Sequence, residues 1–487
     1  MQVIGRMCEI EILKRFFCSQ RSEFMAVYGR RRVGKTFLIK NYFQAVPGCV
    51  FFSATGVQKG SFATQRRNFC RRIGEVFYQQ LSLVVPKDWY GVFELLQKAI
   101  AALPKQTRVV IFLDEFPWMV TPRSELLQVL EYYWNEYWGN NAQVKLIVCG
   151  SLASWIIKNL VNNTGGLYQR VTHRLKVEPF NLLQTKLFLK HKGLSLTDKQ
   201  IATLYMSVGG IPLYLEQAEK GLTADQLIDK ICFSQSGLLL NELHELFKSL
   251  FQQSAIYVQI TREMAKHREG ISKTDLVQRL KLSAGGRLTE RLNELVEAGF
   301  VIAFVPYQHS TRGEFFKIID EYVLFYFHWI EPNLSAIRTF EKPSGFWLEQ
   351  TKLGAYHAWK GYAFESLCYK HLPQIMQKLN VKSTSFPYSW RYVAKKHQAE
   401  QGAQIDLLFD RTDDAITLCE IKYCADPFVI DKVYANNIVN KKEIFRKETK
   451  TKKQLFFAMI SANSVKRNMY SEELLDGVVT LEDLFAR

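Results

Sequence analysis

Cysteine is present but unpatterned. Nine Cys are scattered over 487 residues without a CxxC pair or a His/Cys cluster, which leaves no zinc-ligand spacing and no disulfide framework. Those inside apolar runs, such as Ile147 to Gly150, read as reduced core thiols of a cytoplasmic protein. Long apolar runs are missing too: none approaches the ~20 residues that span a bilayer. Nothing at the start reads as a signal peptide, so no membrane partner is expected. Low-complexity linkers and long internal repeats are absent. Negative charge is in deficit, 47 Asp+Glu against 64 Lys+Arg, giving a formal charge of +17 and a pI of about 9.3. That excess points to an anionic partner, with nucleic acid as first candidate; a basic solvated surface is the plainer account. A hydrophobic content of 47% excludes wholesale disorder, and the length suits roughly three or four domains.

What is there centres on Tyr28 to Lys40, YGRRRVGKTFLIK. Gly29, four intervening residues (Arg30, Arg31, Arg32, Val33), then Gly34, Lys35 and Thr36 form the GxxxxGKS/T phosphate-binding spacing, with Phe37 following. The glycines permit a backbone that turns successive N–H groups toward one point. Lys35 can reach β- and γ-phosphates, and Thr36 can hold Mg²⁺. The apolar run Phe24 to Tyr28 predicts a buried strand before the loop, and Thr36 to Phe43 a helix whose N-terminus favours an anion. ATP and Mg²⁺ are the cofactors this implies.

Arg108 to Glu115, RVVIFLDE, predicts a second buried strand that delivers two carboxylates to its C-terminal end. Asp114 there suits a Mg²⁺ partner and Glu115 a water-activating base. A further strand, Val144 to Cys149, ends at Gly150-Ser151. Two roles stand open for Ser151: a hydroxyl that orients the attacking water, or an N-cap for a helix over Leu152 to Leu160.

The runs DEFPWM from Asp114, YYWNEYW from Tyr132, LIVCGSLASWII from Leu146, GGLYQRVTHRLKVEPF from Gly165 and GGIPLYLE from Gly209 together resemble the AAA+/STAND-like P-loop ATPases of archaea and bacteria. Members of that family often carry a C-terminal nuclease-like domain. The resemblance implies that Lys35 and Thr36 are the Walker A pair, Asp114 and Glu115 the Walker B pair, and Ser151 a sensor. It implies that Arg170, or else Arg174, completes the nucleotide site from a neighbouring subunit or domain, which makes a homo-oligomer an expectation. Pro212 is similar to a lid proline beside the nucleotide base; its simpler reading is a first-turn proline.

Helical periodicity continues to about Phe251. Ser254 to Ile319 then reads as three helices, one starting at Ile271 to Asp275, and two short strands, Phe300 to Pro306 and Phe315 to Ile319, in a hairpin around Tyr307 to Gly313: a winged helix whose third helix would bring Arg287 and Arg291 to DNA; packing between domains is its alternative use. Toward the C-terminus, Gln404 to Phe409 and Ala415 to Lys422 predict a hairpin. Strand alternation puts Glu420 and Lys422 on one face, where Asp406 can meet them. An Asp, a Glu and a Lys on one face suit a metal-dependent phosphodiesterase, with Asp406 and Glu420 as Mg²⁺ ligands and Lys422 orienting the nucleophile. With Glu365 in GYAFE, the set resembles the PD-(D/E)xK nucleases, although Ile405 stands where the proline of that name would be.

The expected fold is α/β: a P-loop parallel sheet over 1–180, a helical lid over 181–251, a winged helix over 252–335 and an α/β restriction-endonuclease-like domain over 345–487. The expected function is an ATP-hydrolysing protein acting on DNA, its nuclease-like domain controlled by nucleotide state. The alternative is a non-nucleolytic STAND-type signalling or DNA-binding ATPase whose C-terminal domain is a docking module.

Overall fold

The structure, a computed structural model, describes residues 3–162, 165–167, 169–282, 285–308, 314–339, 345–382, 385–392 and 402–486. The chain divides into two compact units, Met1–Pro179 and Phe180–Arg487.

The first unit is built on a five-stranded parallel sheet: β1 (Glu23–Tyr28), β2 (Cys49–Thr55), β3 (Arg108–Asp114), β4 (Val144–Cys149) and β5 (His173–Lys176). Their order is β2-β3-β4-β1-β5. Strands covered on both faces need continuous apolar runs, and β3 and β4 are buried almost end to end. Between β1 and its parallel neighbours the register runs from Glu23↔Lys145 to Val27↔Cys149 and from Met25↔His173 to Tyr28↔Lys176. The loop after β1 therefore leaves the sheet between two flanking strands, the place where open α/β sheets hold ligands. One face packs into an aromatic core, where Phe69 stacks on Phe93 at 5.6 Å and Phe93 on Trp138 at 5.5 Å.

The second unit opens with helices started by reciprocal caps, Asn181 with Gln184, Thr197 with Gln200 and Thr223 with Gln226. Helices Ser254–Ala265, Lys273–Leu280 and Gly286–Glu297 follow, with a three-stranded antiparallel sheet of β6 (Ile271–Ser272), β7 (Val301–Phe304) and β8 (Phe315–Ile318) in the order β6-β8-β7. The helix expected to start within Ile271 to Asp275 begins at Lys273, its cap the Ser272 hydroxyl accepting from the Asp275 amide, while Ile271 and Ser272 pair with Phe316 and Phe315 as a strand that was not expected. Part of the turn expected at Tyr307 to Gly313 lies outside the described residues. Tyr307 itself stacks on Phe445 at 5.7 Å, and its amide donates to the Ser389 carbonyl, so this hairpin leans on the C-terminal strands.

Those strands are β9 (Phe386–Tyr392), β10 (Ala403–Asp410), β11 (Ala415–Lys422), β12 (Gln454–Ser461) and β13 (Gly477–Thr480), ordered β13-β12-β11-β10-β9. β9, β10 and β11 are antiparallel, while β11, β12 and β13 run parallel. The parallel pair β11/β12 needs a crossover, supplied by helix Lys432–Thr449, which buries Ala435, Ile438 and Phe445 against the sheet.

Candidate functional site

The loop after β1 owes its shape to left-handed backbone at Gly29 (φ +140°), Arg32 (φ 72°) and Gly34 (φ 90°). A side chain at Gly29 would lie 2.3 Å from the Val177 carbonyl oxygen, so glycine is required there for space as well as for angle. Lys35 begins the following helix, Lys35–Gln44, and is buried; its Nζ donates to the carbonyls of Gly29 (2.9 Å) and Arg30 (3.1 Å). Burial pushes its pKa below the usual lysine value. The Thr36 hydroxyl lies 3.0 Å from each Asp114 carboxylate oxygen. Burial, then the neighbouring Glu115 charge, raises the Asp114 pKa. Arg30 and Val33 are buried, Phe37 is exposed, and the Arg31 guanidinium lies 5.7 Å from the Trp118 ring centroid.

Glu115 follows β3 in a left-handed conformation (φ 46°) and turns its carboxylate to Ser151. The Ser151 hydroxyl is 3.0 and 2.9 Å from its two oxygens, and the Ser151 amide donates to it at 3.1 Å. The helix-cap role weighed for Ser151 is not observed: Leu152 occupies the cap position without a side-chain bond, and the hydroxyl is spent on Glu115. Arg170 is exposed on a turn that borders a cleft with Arg21, Ser22 and Thr172. Those residues precede β1 and β5, so Arg170 lies at the sheet edge opposite the phosphate loop. Arg174 is exposed on β5, and Pro212 opens a short helix, Pro212–Leu215, in the second unit.

Arg6 escaped sequence reasoning as a site residue. It is 4% exposed and donates to the Val33 carbonyl (2.9 Å), the Glu178 carbonyl (2.8 Å) and the Glu9 carboxylate (2.9 Å), tying the segment before the first helix to the phosphate loop. Arg6→Ala leaves those acceptors unpaired and is expected to destabilise the fold by about 3 kcal/mol, read as a lowered Tm, and to weaken nucleotide binding.

In the second unit, the register Leu407↔Cys419 sets Asp406 beside Glu420. Asp406 accepts from the Ile421 amide at 2.9 Å and from Gln404 at 3.3 Å. Glu420 is gripped on both oxygens, by Lys422 at 2.9 Å and Tyr434 at 3.1 Å on one and by Lys441 at 2.7 Å on the other. Burial would raise the Glu420 pKa, but Lys422 and Lys441 outweigh it and hold it below the usual carboxylate value. Asp406 shifts the other way, its pKa pushed up to about 7 by burial, then by Glu420 and Glu365. Tyr434 and Lys441 escaped notice because their link to β11 is tertiary; seven apart on one helix, they do share a face.

Glu365, on helix Gly354–Lys370, is taken up elsewhere: the Lys317 ammonium, from β8, sits 2.7 Å from it. Among the described residues no group of three or more His, Cys, Asp or Glu is placed to hold a metal ion. Of the four residues expected here, the structure thus brings Asp406, Glu420 and Lys422 together and pairs Glu365 with Lys317. Arg287, in helix Gly286–Glu297, is exposed, whereas Arg291 is half-buried and bonds Gln253 at 2.8 Å. No helix among the described residues is long and apolar enough to cross a membrane.

Residues 4–218 match a family model described as an ATPase domain predominantly from Archaea. An uncharacterized protein of Methanocaldococcus jannaschii is 25% identical over 425 residues, 86% of this chain and 87% of its own length. Among solved structures, the Walker-type ATPase PABY2304 of Pyrococcus abyssi is 17% identical with a TM-score of 0.47, covering 67% of this chain and 96% of its own. The Aeropyrum pernix ORC2 protein, solved as ADPNP-ADP complexes, is 16% identical with a TM-score of 0.44, covering 70% of this chain and 96% of its own. With the phosphate loop and its Thr36–Asp114 partner falling inside the matched stretch, residues 4–218 carry a P-loop ATPase domain.

Proposed function

We propose that the chain is an ATP-driven switch acting on DNA, whose second unit carries a metal-dependent phosphodiesterase site of the PD-(D/E)xK kind. The observation that carries this reading is the adjacency of Asp406 and Glu420, with the Lys422 ammonium 2.9 Å from the latter. The donor set fits Mg²⁺: two neighbouring carboxylates are hard oxygen ligands, and the burial and the Glu420 and Glu365 charges that raise the Asp406 pKa are what a bound cation would offset. Asp406 and Glu420 would hold the ion, and Lys422 would orient the attacking oxygen. A bound divalent cation supplies polarisation of the phosphate and an acidified water.

In the first unit, Lys35 would reach the β- and γ-phosphates, Thr36 and Asp114 would hold the nucleotide's Mg²⁺, and Glu115 would take the proton of the attacking water. With both Glu115 oxygens engaged by Ser151, that proton transfer follows release of the carboxylate. Arg170, exposed at the far sheet edge, suits a neighbouring copy's nucleotide rather than its own, which supports a homo-oligomer.

The three helices and the β6-β8-β7 sheet support a winged helix, with the exposed Arg287 as a cation toward DNA. Arg287→Ala is expected to weaken binding of duplex DNA and to lower the slope of log affinity against log salt by about one. Arg291→Ala changes less, because its guanidinium already has Gln253. Fluorescence anisotropy at several salt concentrations measures both; equal slopes in all three proteins would remove Arg287 from the interface.

A second reading, a non-nucleolytic STAND-type ATPase with a docking module, is favoured by one observation: Glu420 is already saturated by two lysines and a tyrosine. Plasmid DNA incubated with Mg²⁺ or Mn²⁺, with and without ATP, separates the two, since only the first predicts cleavage.

A further inference from the structure

The second unit contains a lysine that strand geometry places where a wing would normally meet solvent. Along β8, Phe316 and Ile318 point to one face and Lys317 to the other. Lys317 is nonetheless only 5% exposed, because helix Gly354–Lys370 covers it. Its ammonium lies 2.7 Å from Glu365 and 4.8 Å from the Tyr369 ring centroid, and the Tyr369 hydroxyl donates to the Asp406 carbonyl at 2.6 Å. One chain of contacts thus runs from β8 through helix Gly354–Lys370 to the strand that bears Asp406.

We propose that Lys317 is a positioning residue, a built-in counter-ion that holds Glu365 in the place of a divalent cation, so that Glu365 joins Asp406 and Glu420 only by exchanging Lys317 for the metal. This rests on the metal-site reading of Asp406 and Glu420. Three observations support it. Glu365 is near enough for its charge to act on Asp406, yet no three acidic groups among the described residues converge on a metal position. Glu365 remains 23% exposed, so its carboxylate has an open side by which to change partners. Lys317 also lies beside the metal strand: the Tyr369 ring whose centroid is 4.8 Å from its ammonium carries the hydroxyl that donates to the Asp406 carbonyl. A cation paired to a ligand competes with the metal for it, and removing one positive charge a few ångströms from a metal position raises divalent affinity.

The test is a titration of Mn²⁺ into the full chain without nucleotide, followed by calorimetry or by the loss of the free-ion paramagnetic signal, so that turnover plays no part. Lys317→Met is expected to bind Mn²⁺ about tenfold more tightly than wild type. Lys317→Arg keeps the charge and should match wild type. The double variant Lys317→Met/Glu365→Gln should lose the gain, because the freed carboxylate is its source. Lys317→Gln removes the charge while keeping a donor for Glu365, and it gives the same gain should the methionine variant fail to fold. A Lys317→Met or Lys317→Gln affinity equal to wild type overturns the proposal, as does a gain that survives Glu365→Gln. The metal site itself is read separately from Asp406→Ala: wild-type Mn²⁺ affinity in that variant overturns the underlying reading, and the role of Lys317 falls with it.

Discussion

Lys35→Ala is expected to reduce ATP hydrolysis by about a hundredfold or more and to remove most nucleotide affinity. The Lys35 ammonium is buried, and its hydrogen-bond partners are two carbonyls of its own loop, Gly29 and Arg30. Carbonyl dipoles are weak compensation for a desolvated charge, which is why burial lowers its pKa. An incoming triphosphate offers full negative charge in the same place, so the cation gains far more from the ligand than from the empty loop. The same imbalance separates loss of function from loss of fold. Because the folded pKa lies below the unfolded one, a charged Lys35 opposes folding at neutral pH, and stability from this group rises as pH climbs through the lowered value. Alanine removes that opposition along with two hydrogen bonds, so its Tm should fall far less than that of Arg6→Ala. Phosphate release and nucleotide titration, run beside a melting curve, check both halves. Undiminished hydrolysis by a folded Lys35→Ala protein would falsify the assignment of the phosphate loop.

The parts of the molecule that were legible in the sequence are those whose geometry is local. Gly29 to Thr36 is eight residues in which left-handed glycines and a lysine must follow one spacing, and the loop conformation follows from that spacing alone. The apolar runs of β3 and β4 were equally readable, since a strand buried on both faces has no room for polar alternation. The acidic end of β3 is legible as a composition but not as a contact: nothing near Glu115 says that its carboxylate turns to Ser151, 36 positions on. β6 was missed because two residues carry no period, and Ser272 serves both as strand end and helix cap. Lys317 and Lys441 were invisible as site residues for a related reason. Each reaches its carboxylate across the tertiary fold, 48 and 21 positions away, so no motif window contains both members.

The electrostatics of the second unit decide the other large expectation. Asp406→Ala and Lys422→Ala should each abolish Mg²⁺- or Mn²⁺-dependent DNA cleavage, to about a hundredth of wild type or less, while leaving ATP hydrolysis intact. Asp406 carries an additional signature. Its folded pKa, pushed up to about 7, lies above the ordinary aspartate value, so folding takes up a proton across the interval between the two. Stability from this group is therefore greatest at low pH and declines as pH rises from about 4 to about 7, the reverse of a salt-bridged aspartate. Asp406→Ala should accordingly be no less stable than wild type at pH 8, despite removing a buried side chain with two hydrogen bonds. A metal must displace the same proton, so Mn²⁺ affinity of the wild type should climb about tenfold per pH unit below 7 and level off above it. Lys422→Ala behaves differently: it strips one of the two cations from Glu420, which leaves Lys441 as the remaining partner and should lower stability at neutral pH. Cleavage lost in both variants, with the pH 8 melting temperature kept in Asp406→Ala and lowered in Lys422→Ala, is the pattern a working metal site predicts. An ion cluster that holds no metal would cut no DNA at any pH, in the wild type as in the variants.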